Sequence, residues 1–353
     1  MRALTETKLD LQYALFVRKP LMLARLGMTV FRGFFMTREP LWYVDFGVDY
    51  ECNLNCRHCY AQALKQNDRR QMTVADYRRV AAECMRLGTI NFSFEGGEPL
   101  MFDALPDIIA ACRPDRNIIS ITTNGTLLTA ARARELRRIG VDILTFSLDS
   151  GIAAEHDDFR GQPGAFESTL AGIRVAREAG LRVLLNSVLT HQSVQGPGLQ
   201  RLIEMAESWG CLLYLLMPAA AGRWLGRQDM YLSEDDLRFV DELTDRLPHV
   251  RTDLQANRGQ YGCGAVKKNI YVTPYGDVMP CPFLHIAAGN IFEESVEKIR
   301  NRALANPYFG RYHEKCLVST DPEFIRKHLS KTATADRLPL PWDEAFPPQE
   351  TRD

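Results

Sequence analysis

The sequence lacks an excess of charge of either sign: 43 Lys and Arg stand against 44 Asp and Glu, a formal net charge of −1, with an isoelectric point near 6.7. That balance gives no reason to expect a nucleic-acid partner. The N-terminus also lacks the charged, apolar and small-residue order of a signal peptide, and no repeat recurs beyond an alternation of strand and helix patterns. With no secretory signal, the nine cysteines, an odd number, read as reduced thiols available to a metal in a cytoplasmic protein rather than as a disulfide framework. What is present is enough to build a soluble globular fold: 353 residues, 46% of them hydrophobic, suffice for one large domain and a smaller one.

The first 41 residues form an amphipathic helical segment. Arg18, Arg25 and Arg32 fall seven apart, and Leu21, Met22, Leu23, Leu26, Met28, Val30, Phe31, Phe34 and Phe35 make a broad apolar face around them. Its longest uncharged stretch is too short to span a bilayer. One reading packs this helix under the main domain with its arginines in water. The other lays it on an anionic membrane as a peripheral contact, because residues 11–38 hold five basic and no acidic side chains.

Strand-like runs recur at 42–48, 90–95, 117–123, 142–149, 181–189 and 212–217, with helical patterns between them. "TVADYRRVAAECMRLG" has Thr73 as N-cap and Gly88 as C-cap, with Cys84 on its apolar face. Cys112 sits on a similar face, and Cys211 opens an apolar strand; all three read as core. Six alternations imply parallel strands with right-handed crossovers, in an open doubly wound sheet or a partial barrel. Beyond residue 225 the rhythm changes to one more helix opened by Ser233, then two short strands around a turn at Pro274, Tyr275, Gly276 and Asp277, then a proline-rich tail expected to be extended or disordered.

"YECNLNCRHCYAQ" places Cys52, Cys56 and Cys59 on a C-x3-C-x2-C spacing just after the first strand. Zinc, an iron-sulfur cluster or a redox dithiol could each use three such thiolates. Zinc could take His58 as its fourth ligand, although adjacent residues do not readily bind one tetrahedral ion. A cluster on three cysteines would leave one iron open.

Followed by the aromatic Tyr60, this motif resembles the signature of the radical S-adenosylmethionine (SAM) enzymes. In family order come "EGGEP" with Gly96, Gly97, Glu98 and Pro99 after the second strand, "TTNG" with Asn124 after the third, and "SLD" with Ser147 and Asp149 after the fourth; Arg160 in "HDDFRG" and Asn186 on the fifth strand follow. The resemblance spans roughly 42–220. It implies a partial (β/α)6 TIM-like barrel, an α/β fold, over 42–225, with sites at the C-terminal ends of the strands. It implies a 4Fe-4S cluster held by Cys52, Cys56 and Cys59, with SAM on the open iron. Glu98 and nearby backbone would then accept from the methionyl ammonium, Arg160 would meet the carboxylate, and Asn186 would lie near the ribose. Glycines at 96 and 97 would let the backbone approach the ligand closely. Reductive cleavage of SAM would give a 5'-deoxyadenosyl radical that abstracts hydrogen from a substrate, with ferredoxin or flavodoxin as reductant.

Cys263, Gly276 and Cys281 form C-x12-G-x4-C, which resembles the opening of the SPASM or twitch domains that carry auxiliary clusters, here a small α+β domain over 226–330 ahead of a tail at 331–353. Cys316 is the natural third ligand of a second 4Fe-4S cluster. The family pattern has further cysteines that this chain lacks, so His285, His313 and Asp321 are candidates for the fourth position, unless one iron is left open to substrate. The segment ahead of the first strand is about half the length of the family's leader-peptide domain. A small molecule, or a cofactor or lipid precursor, is therefore the expected substrate, with a ribosomal peptide or protein as the alternative. A non-catalytic iron-sulfur or zinc module is the competing class; it leaves Glu98, Arg160 and the glycines without a role.

Overall fold

Strand β1 (Tyr43–Asp49) buries Val44, Phe46 and Val48 on one face, while Tyr43, Asp45 and Asp49 on the other are half-buried. Alternation of this kind lets one side of a strand pack on helices and the other line an interior. The computed structural model describes residues 19–35 (32–35 in backbone only), 39–255 and 262–347.

Six further parallel strands follow: β2 (Asn91–Gly96), β3 (Ile118–Thr123), β4 (Ile143–Ser147), β5 (Arg182–Val188), β6 (Leu212–Leu216) and β7 (Val250–Thr252). An N-terminal helix α1 (Pro20–Phe35) precedes them. The crossover helices are α2 (Val74–Leu87), α3 (Leu105–Ala111), α4 (Ala130–Arg138), α5 (Ala153–Arg160), α6 (Ala165–Glu178), α7 (Pro197–Trp209) and α8 (Glu234–Arg246). Thr73 and Asp76 close a capping box at the start of α2, Gly88 ends it in the left-handed region, and Ser233 with Asp236 repeats the box on α8. Cys84, Cys112 and Cys211 are buried, as core residues should be.

Two features extend the six-stranded expectation. β7 adds a seventh parallel strand beyond residue 225, on the outer edge of β6. On the far side, β8 (Asn269–Val272) pairs in parallel with β1 and turns into antiparallel β9 (Asp277–Met279), so the C-terminal hairpin joins the barrel sheet. With β10 (Ile286–Ala287) in a separate pair and β11 (Gly289–Asn290) beside β9, the sheet runs β11-β9-β8-β1-β2-β3-β4-β5-β6-β7. Burial of all four residues of β8 explains why this strand is covered on both faces.

The tail corrects the sequence reading. Helices α9 (Val296–Leu304) and α10 (Pro322–Lys327) precede it, β12 (Leu340–Pro341) pairs with β10, and α11 (Trp342–Ala345) follows; only 348–353 lie outside the described residues. Its aromatics are the reason: Trp342 stacks near Phe309 (5.6 Å) and Phe346 (4.6 Å), and Phe346 covers His328.

Helix α1 lies under the N-terminal ends of the strands, and Arg25 faces the domain instead of water. Its guanidinium donates to the carbonyls of Met85 (3.3 Å), Thr89 (2.8 Å) and Arg116 (3.3 Å) and to the Asn117 side chain, because a helix end and two loops leave acceptors there. Lys19 likewise reaches Asp142 at 2.5 Å. The outward side is apolar, with Leu21 51%, Met28 54% and Phe31 58% exposed. Arg18 and the side chains of Arg32, Phe34 and Phe35 lie outside the described residues. No helix among the described residues is long and apolar enough to cross a membrane.

Trp342→Ala should lower stability by about 3 kcal/mol, read from the shift of the urea midpoint at constant slope. An unchanged midpoint would mean that the tail is not part of the core.

Candidate active site and cluster ligands

The chain leaves β1 at Asp49 and carries Cys52, Cys56 and Cys59 on the loop above the sheet. Arg223 clamps this loop from one side, donating from Nη1 to the carbonyls of Cys56 (2.8 Å) and Asn55 (3.2 Å). From the other side Arg57 N–H donates to Phe159 O (3.0 Å), at the end of α5. Donors also reach the sulfurs: Leu54 N–H lies 3.4 Å and Asn124 Nδ2 4.0 Å from Cys52 Sγ, and Arg160 Nη1 lies 3.7 Å from Cys56 Sγ. Such contacts tune the potential of a cluster.

Burial pushes the Cys52 thiol up to about 11 and raises that of Cys59 as well. These thiols keep their protons until a cation arrives, so loading iron must release them. Among the described residues no three Cys, His, Asp or Glu side chains close on a point as ligands of one ion do. His58 is drawn away from the thiols: its buried ring stacks on Phe159 at 4.6 Å, and burial lowers its pKa to about 3.

At the end of β2 the glycines do something other than expected. A Cβ on Gly97 would lie 1.9 Å from Glu51 O, so the close approach is to the cysteine loop's own backbone. Gly97 N–H donates to Asp49 O (2.7 Å) and Glu98 N–H to Glu51 O (2.8 Å). Glu98 is 2% exposed, and its carboxylate already accepts from Thr123 Oγ1 (2.6 Å), Asn124 N–H (2.8 Å) and Leu100 N–H (3.1 Å). Burial still leaves its pKa raised. Three of its roughly four lone-pair positions are taken, which leaves room for one more donor. Pro99 opens a short 3-10 turn that holds Glu98 in place. Asn124, beyond β3, donates to Asn53 Oδ1 (2.9 Å), tying "TTNG" to the cysteine loop.

Arg160, also buried, pairs with Asp149 (Nη2 to Oδ2, 2.6 Å), so its charge is met from within the chain. Its Nε is buried without a hydrogen-bond partner among the described residues. Burial alone would raise Asp149, but the Arg160 charge, with His58 and His156, holds it below the ordinary carboxylate value. Ser147 and Asn186 stand opposite each other in the β4–β5 register. A cavity of 670 Å³ opens beside this group, bordered by Arg57, Asp149, Phe159, Val188 and Arg223.

Cys263, Cys281 and Cys316 lie in the C-terminal part within reach of one another's charge. Burial first, then the charges of Asp253, Cys263 and Cys281, push the Cys316 thiol well above its usual range. Cys263 is raised to about 11 by burial, and Asp253 adds to it. Of the expected fourth ligands, Asp321 is occupied as the N-cap of α10, accepting from Phe324 N–H (3.0 Å). The rings of His285 and His313 each have a buried Nε2 without a hydrogen-bond partner among the described residues. His313 stacks on Tyr308 and His285 lies 6.4 Å from the Tyr60 ring.

Tyr60 in turn packs on Phe283 at 5.0 Å, so it bridges the first cysteine loop and the segment after Cys281. Beside it the barrel interior holds two acids that sequence reasoning missed. Burial raises Asp45 to about 7, and burial followed by the Asp45 charge raises Glu95 well above its usual value. The signal was legible: each acid lies on the strand face opposite the buried Val44, Phe46, Phe92 and Phe94. Arg223 and Asp253 lie outside any motif and carry no such signal.

A family model for the radical SAM superfamily matches residues 50–199, and one for an iron-sulfur cluster-binding domain, SPASM, matches 263–318. The chain belongs to the radical SAM superfamily. This radical SAM enzyme uses SAM and a 4Fe-4S cluster, with auxiliary iron-sulfur binding in its SPASM part. It is 29% identical to an AdoMet-dependent heme synthase of Methanosarcina barkeri (strain Fusaro) over 302 residues, 76% of this chain and 84% of that protein. It is 25% identical to a PqqA peptide cyclase of Granulibacter bethesdensis, covering 78% of this chain and 75% of the other. Among solved structures, Streptococcus suis SuiB bound to the precursor peptide SuiA shares the fold, with a TM-score of 0.62 at 18% identity over 80% of this chain and 69% of that one.

Asp149→Asn should destabilise this enzyme by about 3 kcal/mol at pH 7, because it leaves the Arg160 charge buried and unpaired. As the folded-state pKa of Asp149 lies below its ordinary 3.8, the contribution of the pair is complete above that value and is lost as the pH falls further. Urea melts at pH 7 and in acid should therefore converge for the two proteins; a constant gap would assign the stability elsewhere.

Proposed function

We propose that Cys52, Cys56 and Cys59 hold the cluster that binds SAM, and that the substrate is a small molecule or a cofactor or lipid precursor. The observation that carries the first part is the convergence of the cysteine loop, Glu98 and the Arg160–Asp149 pair on one rim of the barrel. Reduced cluster and SAM together supply a 5'-deoxyadenosyl radical that takes a hydrogen atom from the substrate. The chain's own part is to bind and orient. Glu98 has one acceptor position for the methionyl ammonium, and the buried Arg160 Nε is a donor for the carboxylate. Asn124, Ser147 and Asn186 line the way to the adenosyl end, while Tyr60, Gly96, Gly97 and Pro99 fix the loop geometry around them. Asp149 keeps Arg160 charged and pointed at Cys56. Cys263, Cys281 and Cys316 hold the auxiliary cluster, and ferredoxin or flavodoxin supplies electrons.

Three heme synthases among the relatives support the cofactor-precursor class, each matching over at least 76% of this chain and of its own length. The peptide reading draws support from the PqqA peptide cyclase and from SuiB with its precursor peptide. The exposed Leu21 and Met28 on α1 support a peripheral contact with an anionic membrane.

Anaerobic reconstitution, reduction with dithionite and addition of SAM alone should release 5'-deoxyadenosine. Cys56→Ala should abolish that release and remove about four irons per chain. Release from the variant would retire the assignment of the first site. For α1, sedimentation with phosphatidylserine vesicles should carry the protein down, and the double variant Leu21→Glu, Met28→Glu should stay in solution. Equal sedimentation of the two would dismiss the membrane contact.

A further inference from the structure

Three cysteines would leave the auxiliary cluster one protein ligand short. β7 runs into a short 3-10 turn, Asp253–Gln255, which Gln255 pins by accepting from Thr252 N–H (3.1 Å) and donating to Thr244 Oγ1 (2.8 Å). Gly262 N–H donates to Leu254 O (3.0 Å), which lays this turn against the residue preceding Cys263. Cys263 in turn bridges to His313, three residues before Cys316, with Cys263 N–H donating to His313 O at 2.6 Å. The turn that carries Asp253 is thus tied by backbone hydrogen bonding to the segment entering Cys263, and that segment to His313.

Its Oδ1 is buried and has no hydrogen-bond partner among the described residues. The carboxylate has backbone donors in Asp253 and Leu254, but burial still raises its pKa to about 6, so a cation or a proton is needed to offset the cost of the unpartnered oxygen. Asp253 also lies within electrostatic reach of Cys263, Cys281 and Cys316, and its charge adds to burial in raising all three thiols. Asp321 is already engaged as a helix cap; His285 and His313, each with a buried Nε2 that has no hydrogen-bond partner among the described residues, are the rival ligands that the test separates from Asp253.

We propose that Asp253 is the fourth protein ligand of the auxiliary iron-sulfur cluster, binding through its unpartnered Oδ1. This rests on the assignment of Cys263, Cys281 and Cys316 as the other three. A carboxylate is a harder and weaker donor to iron than thiolate, so the cluster would sit at a higher potential than one with four cysteines. The iron it binds would be the one most readily lost.

The test uses the full chain with Cys52, Cys56 and Cys59 all changed to Ala, so that only the auxiliary cluster reports. Reconstituted parent protein should hold about four irons with the spectrum of a 4Fe-4S cluster. Asp253→Ala should lose iron toward about three per chain and give the electron paramagnetic resonance signal of an oxidised 3Fe-4S species. Asp253→Cys should keep the full iron content and shift the reduction potential downward. Circular dichroism of the isosteric Asp253→Asn variant checks that the fold persists. Unchanged iron, spectrum and potential in Asp253→Ala would overturn the proposal, as would the same losses on His313→Ala or His285→Ala in place of Asp253→Ala. A parent without a cluster would instead refute the three-cysteine assignment on which the proposal rests.

Discussion

Two backbone hydrogen bonds at the end of β1 hold the site together: Gly97 N–H to Asp49 O and Glu98 N–H to Glu51 O. They require the chain after β2 to run against the chain after β1 at a distance that only glycine at 97 permits. Through them the cysteine loop, Glu98 and, by way of Thr123 and Asn124, the end of β3 become one hydrogen-bonded rim. A loop with three thiols is otherwise free to choose many shapes, and ordering it before any cluster binds reduces the entropy lost when one does.

Charge is handled in the same spirit. The barrel interior and rim carry Asp45, Glu95, Glu98, Asp149 and Asp253, and of these Asp149 forms an ion pair with Arg160. Burial raises the pKa values of the other four, while the Arg160 charge brings that of Asp149 down. Sites where neighbouring acids are pushed in opposite directions are where binding and proton transfer are organised. The Tyr60 ring, packed between the first cysteine loop and Phe283, links this interior to the second set of cysteines.

The strand-helix alternation was legible because each strand alternates burial and each helix carries its cap: Thr73, Gly88 and Ser233 all act as their residue types suggest. The first cysteine motif was legible because its spacing is local. Other parts were not. Arg25 looked like a solvated arginine on a periodic stripe, since nothing local reveals that four acceptors wait for it 60 to 92 residues away. The tail looked extended because its prolines outweighed Trp342 and Phe346, whose partners come from the preceding 40 residues.

By itself the sequence determined the periodic elements, the helix caps and the family, since these depend on residues within a few positions of one another. Tertiary structure alone decided that β8 completes the sheet beside β1, that acceptors from three later segments gather around Arg25, and that Asp253 lies within electrostatic reach of Cys281 and Cys316. Each of those joins residues far apart in the chain. Buried charges and unpaired backbone groups choose their partners only once packing has removed water from around them.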